Sequence, residues 1–192
     1  MLPTPSAPTE SSCRLRPSEA LLAGERNGIK IEGYDLGNSP CDMTPSLVGG
    51  RIMVFDSTNG TKLARQFESF SHVAFGSLVS LTASVAFVRE IGGDPIVACA
   101  GRLGDFSAED ALASGYLISK FMTGDCELND AASFAVRLVE KSGELWRSWA
   151  GDSFHGRYLK SIGFEADVDF CLTIDRFGFV PVKREDKFVR GN

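Results

Sequence analysis

The sequence predicts an α/β domain: a three-layer arrangement in which helices cover both faces of a largely parallel sheet, with a hairpin at its C-terminal edge. Two observations predict it. Three successive segments, RIMVFDSTNGTKLARQFESF, HVAFGSLVSLTASVAFVREIG and PIVACAGRLGDFSAEDALASGYLISKFM, each pass from an apolar run through a polar or glycine-rich turn into helical periodicity. Strands alternating with helices at this spacing point to parallel strands joined by crossover helices. The second observation is bulk: 192 residues, 43% hydrophobic and 23% charged, suffice for a sizeable core in one domain.

Taken in order, residues 1–18 (MLPTPSAPTESSCRLRPS) are rich in Pro, Ser and Thr. They offer little apolar surface and read as a disordered arm before a single domain over 19–192. The stretch EALLAGERNGIKIEGYDLGNSP gives a short apolar strand, then a glycine-punctuated loop holding Glu25, Arg26, Asp35, Asn38 and Ser39. The three strand-turn-helix segments follow. After them, LNDAASFAVRLVEKS places Ala132, Ala135, Val136, Leu138 and Val139 at helical spacing. GELWRSWAGDSFHGRYLKSIGF reads as one or two helices broken at Gly151, and ADVDFCLTIDRFGFVPVKREDKFV as two strands around a turn at Arg176 to Gly178.

Charge and cysteine usage narrow the function classes. The net charge is −5 with no block of Lys and Arg, so neither nucleic acid nor an anionic membrane is an expected partner. The five cysteines are odd in number and scattered, without metal-finger spacing, and read as free thiols in a reducing cytoplasm. No signal-peptide core and no membrane-spanning apolar run is present. The sequence leaves self-association into a homo-oligomer open.

In a parallel sheet the carboxyl ends of the strands share one edge, and ligands bind there. The first apolar run ends at Asp56 and delivers Ser57, Thr58, Asn59, Gly60 and Thr61 to a helix start. Unpaired backbone N–H groups, side-chain donors and the helix dipole at one point suit an anion. A simple helix cap by Thr58 or Asn59 explains the same residues. In DFSAED, Ser107 and Asp110 form a capping pattern, and Glu109 and Asp110 are also hard oxygen ligands for Mg²⁺. The loop bearing Glu25, Arg26, Asp35 and Asn38 combines carboxylates for a metal or proton with an arginine for a phosphate. His155, Gly156 and Arg157 add an imidazole and a second guanidinium at a helix start. His72, opening an apolar strand, is expected to be structural, and Cys99, inside an apolar run, to be buried. A phosphatase cysteine loop fails at Asp105, where an arginine is needed, and DVD at Asp167 to Asp169 precedes its apolar run instead of ending it. Covalent phosphatase chemistry of either kind is disfavoured.

LLAGERNGIKIEGYDLGNSP, VFDSTNGT, ACAGRLGDFSAEDALASG and SFHGRYLKSIGFEADVDFC…VPV occur in the order and approximate spacing of the 2-phosphosulfolactate phosphatases, the ComB family. The resemblance runs from about Ala20 to Val182. It implies an α/β fold and a Mg²⁺-dependent phosphatase that hydrolyses 2-phosphosulfolactate, a phosphorylated, sulfonated small acid, to sulfolactate and phosphate on the way to coenzyme M. Carried across, its motifs fall on Glu25, Arg26, Asp35, Asn38, Thr58, Asn59, Gly60, Thr61, Ser107, Glu109, Asp110 and His155 to Arg157. Chemistry assigns Glu25, Arg26 and Asp35 to catalysis and Asp35, Glu109 and Asp110 to the metal. Asn38, Thr58 to Thr61, His155 and Arg157 are assigned to substrate. The family's opening strand and DVLRAT-like segment have no counterpart in 1–18, which implies a truncated start and an exposed sheet edge. The rival expectation is a catalytically inactive anion-binding or interaction protein, and a third is a phosphatase for another phosphorylated hydroxy acid.

Overall fold

The computed structural model describes residues 20–122, 124 and 126–191; the arm expected over 1–18 lies outside them. Backbone contacts divide the chain into two units, one ending at Lys62 and one beginning at Leu63.

In the first unit, the apolar run LLAGER forms β1 (Leu21–Arg26), with Leu21, Leu22 and Ala23 buried. Asn27 and Gly28 then take positive φ of 53° and 76°, and the chain reverses into β2 (Ile29–Lys30). Both central residues are left-handed, the geometry of a two-residue primed hairpin turn, for which Asn-Gly is the preferred pair. After a loop and the short helix α1 (Pro45–Val48), β3 (Met53–Asp56) returns parallel to β1. The register sets Leu21 against Met53 and Gly24 against Asp56, and the sheet order is β2-β1-β3. Helix α2 (Gly60–Gln66) follows at once and runs over the division between the units.

The second unit is mainly helical. A 3-10 turn over Leu78–Ser80 leads into α3 (Leu81–Ile91), followed by α4 (Ala108–Phe121) and α5 (Asp130–Ser142). Three shorter helices complete it: α6 (Trp146–Gly151), α7 (Phe154–Ser161) and α8 (Glu165–Cys171). The starts of α4, α5 and α7 are fixed by side-chain caps, Ser107 accepting from Asp110 N–H, Asn129 from Ala132 N–H and Ser153 from Gly156 N–H. Leu78, Leu112, Trp146, Ala150, Val168 and Leu172 form the core of this unit. At Gly115 the backbones of α4 and α5 meet so closely that a Cβ would lie 2.1 Å from the Ala135 carbonyl oxygen. A hairpin of β4 (Pro181–Arg184) and β5 (Lys187–Arg190) buries Val180 and Val182 against Ala83.

The α/β class holds, as do the first strand-turn-helix segment, the helix from Asp130 and the break at Gly151. The sheet departs from expectation. It is small and mixed, with one parallel and one antiparallel pairing, and not the large parallel layer predicted. The apolar run at His72 to Phe75 makes only a bridge from Ala74 to Val182, because its hydrogen bonds go to the C-terminal hairpin. Lys183 N–H donates to Val73 and Phe75 N–H to Pro181. Pro95 to Ala100 is in no ladder, and Ile96 is 69% exposed. An apolar run becomes a strand only where a neighbour takes its N–H and C=O groups. Cys99, expected to be buried there, is exposed, and so is His72.

The hairpin lies further along than predicted, turning at Glu185, whose φ is 57°. Asp167 to Asp169 are on α8, where Glu165 and Asp167 in the first turn favour the helix dipole. Asp175 is instead drawn to the start of α3, accepting from Thr82 N–H at 2.7 Å and Thr82 Oγ1 at 2.6 Å. Among the described residues no helix is long and apolar enough to cross a membrane.

Candidate functional site

Parallel pairing puts the carboxyl ends of β1 and β3 side by side, so Gly24-Glu25-Arg26 meets Asp56-Ser57-Thr58. The approach requires glycine at position 24, where a Cβ would stand 2.3 Å from the Asp56 carbonyl oxygen. The next residue, Glu25, is 7% exposed. Its Oε1 accepts from Thr58 N–H at 2.7 Å, and its Oε2 accepts from Gly28 N–H at 2.8 Å and Thr58 Oγ1 at 3.1 Å.

Arg26 extends into solvent and returns to the same edge. Its Nη2 donates to Asp56 Oδ2 at 2.7 Å, and its Nη1 donates to the Glu25 carbonyl at 2.8 Å. The hydrogen bond to Asp56 raises the guanidinium pKa above its ordinary value against the opposing effect of burial, and the charges of Asp56 and Glu25 add to it. A permanent cation therefore stands at the strand ends, already oriented by a carboxylate.

The turn after β3 is more self-contained than its sequence suggests. Thr61 N–H donates to Ser57 Oγ at 3.2 Å, Ser57 N–H to Thr61 Oγ1 at 3.4 Å, and Thr61 Oγ1 to the Ser57 carbonyl at 2.9 Å. With Thr58 N–H held by Glu25, three N–H groups expected to be unpaired have partners within the protein. Ser57, rather than Thr58, takes the N–H of Thr61 at the start of α2. Asp35 and Asn38 are both exposed in the loop after β2, and Asp35 Oδ2 accepts from Leu22 N–H at 2.8 Å. Beside Asp35, Tyr34 is 7% exposed, and its buried hydroxyl has no hydrogen-bond partner among the described residues.

The second unit holds the remaining predicted residues. Ser107 caps α4, as the sequence indicates, while Asp110 Oδ2 accepts from Gly101 N–H at 2.8 Å. This pins the turn Gly101–Asp105, in which Leu103 and Gly104 have positive φ. Arg102 in that turn lies over the rings of Phe154 and Tyr158 at 5.0 and 5.7 Å, within cation–π range. The acidic start of α4 and the His155 helix are thus linked through one turn. His155 stacks on Tyr158 with its Nδ1 buried and without a hydrogen-bond partner among the described residues, and Arg157 is exposed, donating to the Asp152 carbonyl. Desolvation raises the Cys99 thiol pKa; its hydrogen bond with Ser114 opposes this and the charge of Asp110 adds to it.

Among the described residues no group of three His, Cys, Asp or Glu side chains is arranged to hold a metal ion. Asp35 and Asp110 each commit one oxygen to a backbone N–H. Mg²⁺ is commonly bound through one or two carboxylates together with water and substrate, rather than by a protein cage.

The sequence model of the 2-phosphosulpholactate phosphatase family matches residues 3–186. The chain belongs to this family. Membership places it among the phosphoric monoester hydrolases, and the match opens well before the first motif at Ala20. A probable 2-phosphosulfolactate phosphatase of Caldanaerobacter subterraneus subsp. tengcongensis is 35% identical, over 84% of this chain and 67% of the relative. Those of Thermotoga petrophila and Clostridium acetobutylicum are 34% and 33% identical, over 94% and 85% of this chain and 78% and 70% of their own lengths.

Sequence reasoning singled out Glu25, Arg26 and Thr58, which the structure brings together. It passed over Asp56, Tyr34 and Arg102. Asp56 could have been found from its place at the end of an apolar run, the position that reaches the binding edge. Tyr34 carries no such signal, since an aromatic residue in a loop reads as packing.

Proposed function

We propose that this chain is a Mg²⁺-dependent phosphatase acting on 2-phosphosulfolactate, releasing sulfolactate and inorganic phosphate. The observation that carries the proposal is the parallel β1–β3 edge in a chain of this family, where Arg26, oriented by Asp56, stands beside the Ser57–Thr61 turn. Arg26 offsets phosphate charge there, and Asn59 and Gly60, at the tip of the turn, position non-bridging oxygens. Asp35 would contribute a carboxylate to the Mg²⁺, which when bound supplies charge neutralisation and a site for water. Water adds to phosphorus as the ester P–O bond breaks, and the leaving alkoxide takes up a proton.

The test is phosphate release from 2-phosphosulfolactate by the purified chain. Turnover that stops with chelator and returns with Mg²⁺ is expected. Binding of the ester without release would favour an inactive anion-binding protein. Equal rates on phosphorylated hydroxy acids lacking the sulfonate would move the substrate assignment to that class.

A further inference from the structure

We infer that Glu25 is a positioning residue, a buried clamp that fixes the turn after β3, and not a group that exchanges protons with substrate. The inference rests on the phosphatase reading for what the turn binds, but the clamp itself is read from the hydrogen bonds.

A carboxylate offers about four lone-pair directions. At Glu25 three are occupied: Thr58 N–H at 2.7 Å, Gly28 N–H at 2.8 Å and Thr58 Oγ1 at 3.1 Å. Both oxygens are engaged, and the residue is 7% exposed. A general base needs an accessible lone pair within reach of the proton it removes. This carboxylate is instead turned toward the backbone of two loops that lie 30 residues apart, the Asn27–Gly28 hairpin turn and the turn opening at Thr58. Its neighbour Arg26 joins the same strand ends through Asp56. Glu25 and Arg26 therefore fasten β1 to the start of the β3 turn from successive residues, the first with a buried carboxylate and the second with an exposed cation. Strand pairing does not extend past Gly24 and Asp56. The clamp continues the connection where the ladder stops, and it sets the turn's position relative to Arg26.

The chemistry distinguishes an isosteric change from a truncation. Glu25→Gln keeps one carbonyl oxygen but sets an NH₂ donor against either Thr58 N–H or Gly28 N–H. Thr58→Val removes the hydroxyl bond and leaves the N–H bond, a milder change in the same contact.

The experiment uses the full chain. Amide exchange is read at Gly28 and Thr58, inorganic phosphate affinity by titration, and KM and kcat against pH with 2-phosphosulfolactate. In Glu25→Gln, both amides are expected to lose protection while exchange in α4 and α5 is unchanged. KM and the phosphate dissociation constant should rise at least tenfold, with the pH dependence of kcat keeping the same limbs. Thr58→Val should move the same quantities by a smaller factor, and the double variant should fall short of the product of the two effects. The clamp is overturned if Thr58 and Gly28 stay protected in Glu25→Gln, or if that variant deletes a limb of the pH profile at unchanged KM. Absence of turnover by the wild-type chain with phosphate binding intact would sink the phosphatase reading alone, since exchange and phosphate affinity still decide the clamp. Absence of phosphate binding as well would sink the anion-binding role of the turn, and amide exchange at Gly28 and Thr58 in Glu25→Gln would still decide the clamp.

Discussion

At Asp56 a single carboxylate is asked for two things, and they differ in energy. Its pair with Arg26 joins side chains 42% and 20% exposed, so its contribution to stability is about 1 kcal/mol or less. Its orienting effect on the cation is worth more to a ligand, because a guanidinium held in place loses less freedom on binding. Asp56→Asn is therefore expected to leave the melting temperature within a few degrees of wild type while weakening inorganic phosphate binding by about tenfold. A calorimetric scan and a phosphate titration check this, and a large stability loss with unchanged affinity would assign Asp56 to the fold alone. Position 24 shows the same edge from the packing side. The Asp56 carbonyl leaves no room there for a Cβ, so the residue before the site is fixed by backbone approach.

Among the elements, α4 and α5 have the tightest contact in the second unit, and it passes through Gly115. Gly115→Ala would gain helix propensity of about 1 kcal/mol. It would also place a methyl 2.1 Å from the Ala135 carbonyl oxygen and 2.9 Å from Val139 Cγ2. Forcing apart two packed helices costs roughly 1–3 kcal/mol and outweighs the propensity gain. The variant should unfold at lower denaturant concentration than wild type, with its helix content retained below the transition. Greater stability would show that the helices separate at little cost.

On the scale of the whole molecule, 25 acidic against 20 basic residues, without a basic cluster in sequence, argue against a polyanion partner. No retardation of duplex DNA or structured RNA is expected in a gel assay at about 0.1 M salt, where basic binders remain attached. A retarded band would show a basic surface assembled by the fold from dispersed residues. A small anionic substrate is compatible with the overall charge because Arg26 is a local cation whose ion pair with Asp56 orients it.

Much of this protein is written in local pattern. The β3-turn-α2 segment, the caps at Ser107 and Asn129 and the break at Gly151 follow from hydrogen bonds and periodicities spanning only a few residues, which is why the sequence alone determines them. The motifs also determine the family. Asn27-Gly28 is a local signal too, the preferred pair for the hairpin turn that forms there. Partners distant in the chain are decided only by the tertiary structure. The run at His72 to Phe75 looks like a strand of the main sheet, yet its N–H and C=O groups are taken by residues more than a hundred positions later. Asp175 carries no local signal of its role, and it accepts from Thr82 at the start of α3, far away in the chain. Glu25 looks like a catalytic acid in a loop, and the fold buries it against Thr58. A carboxylate's chemistry depends on which donors surround it, and those donors come from residues that the local sequence does not contain.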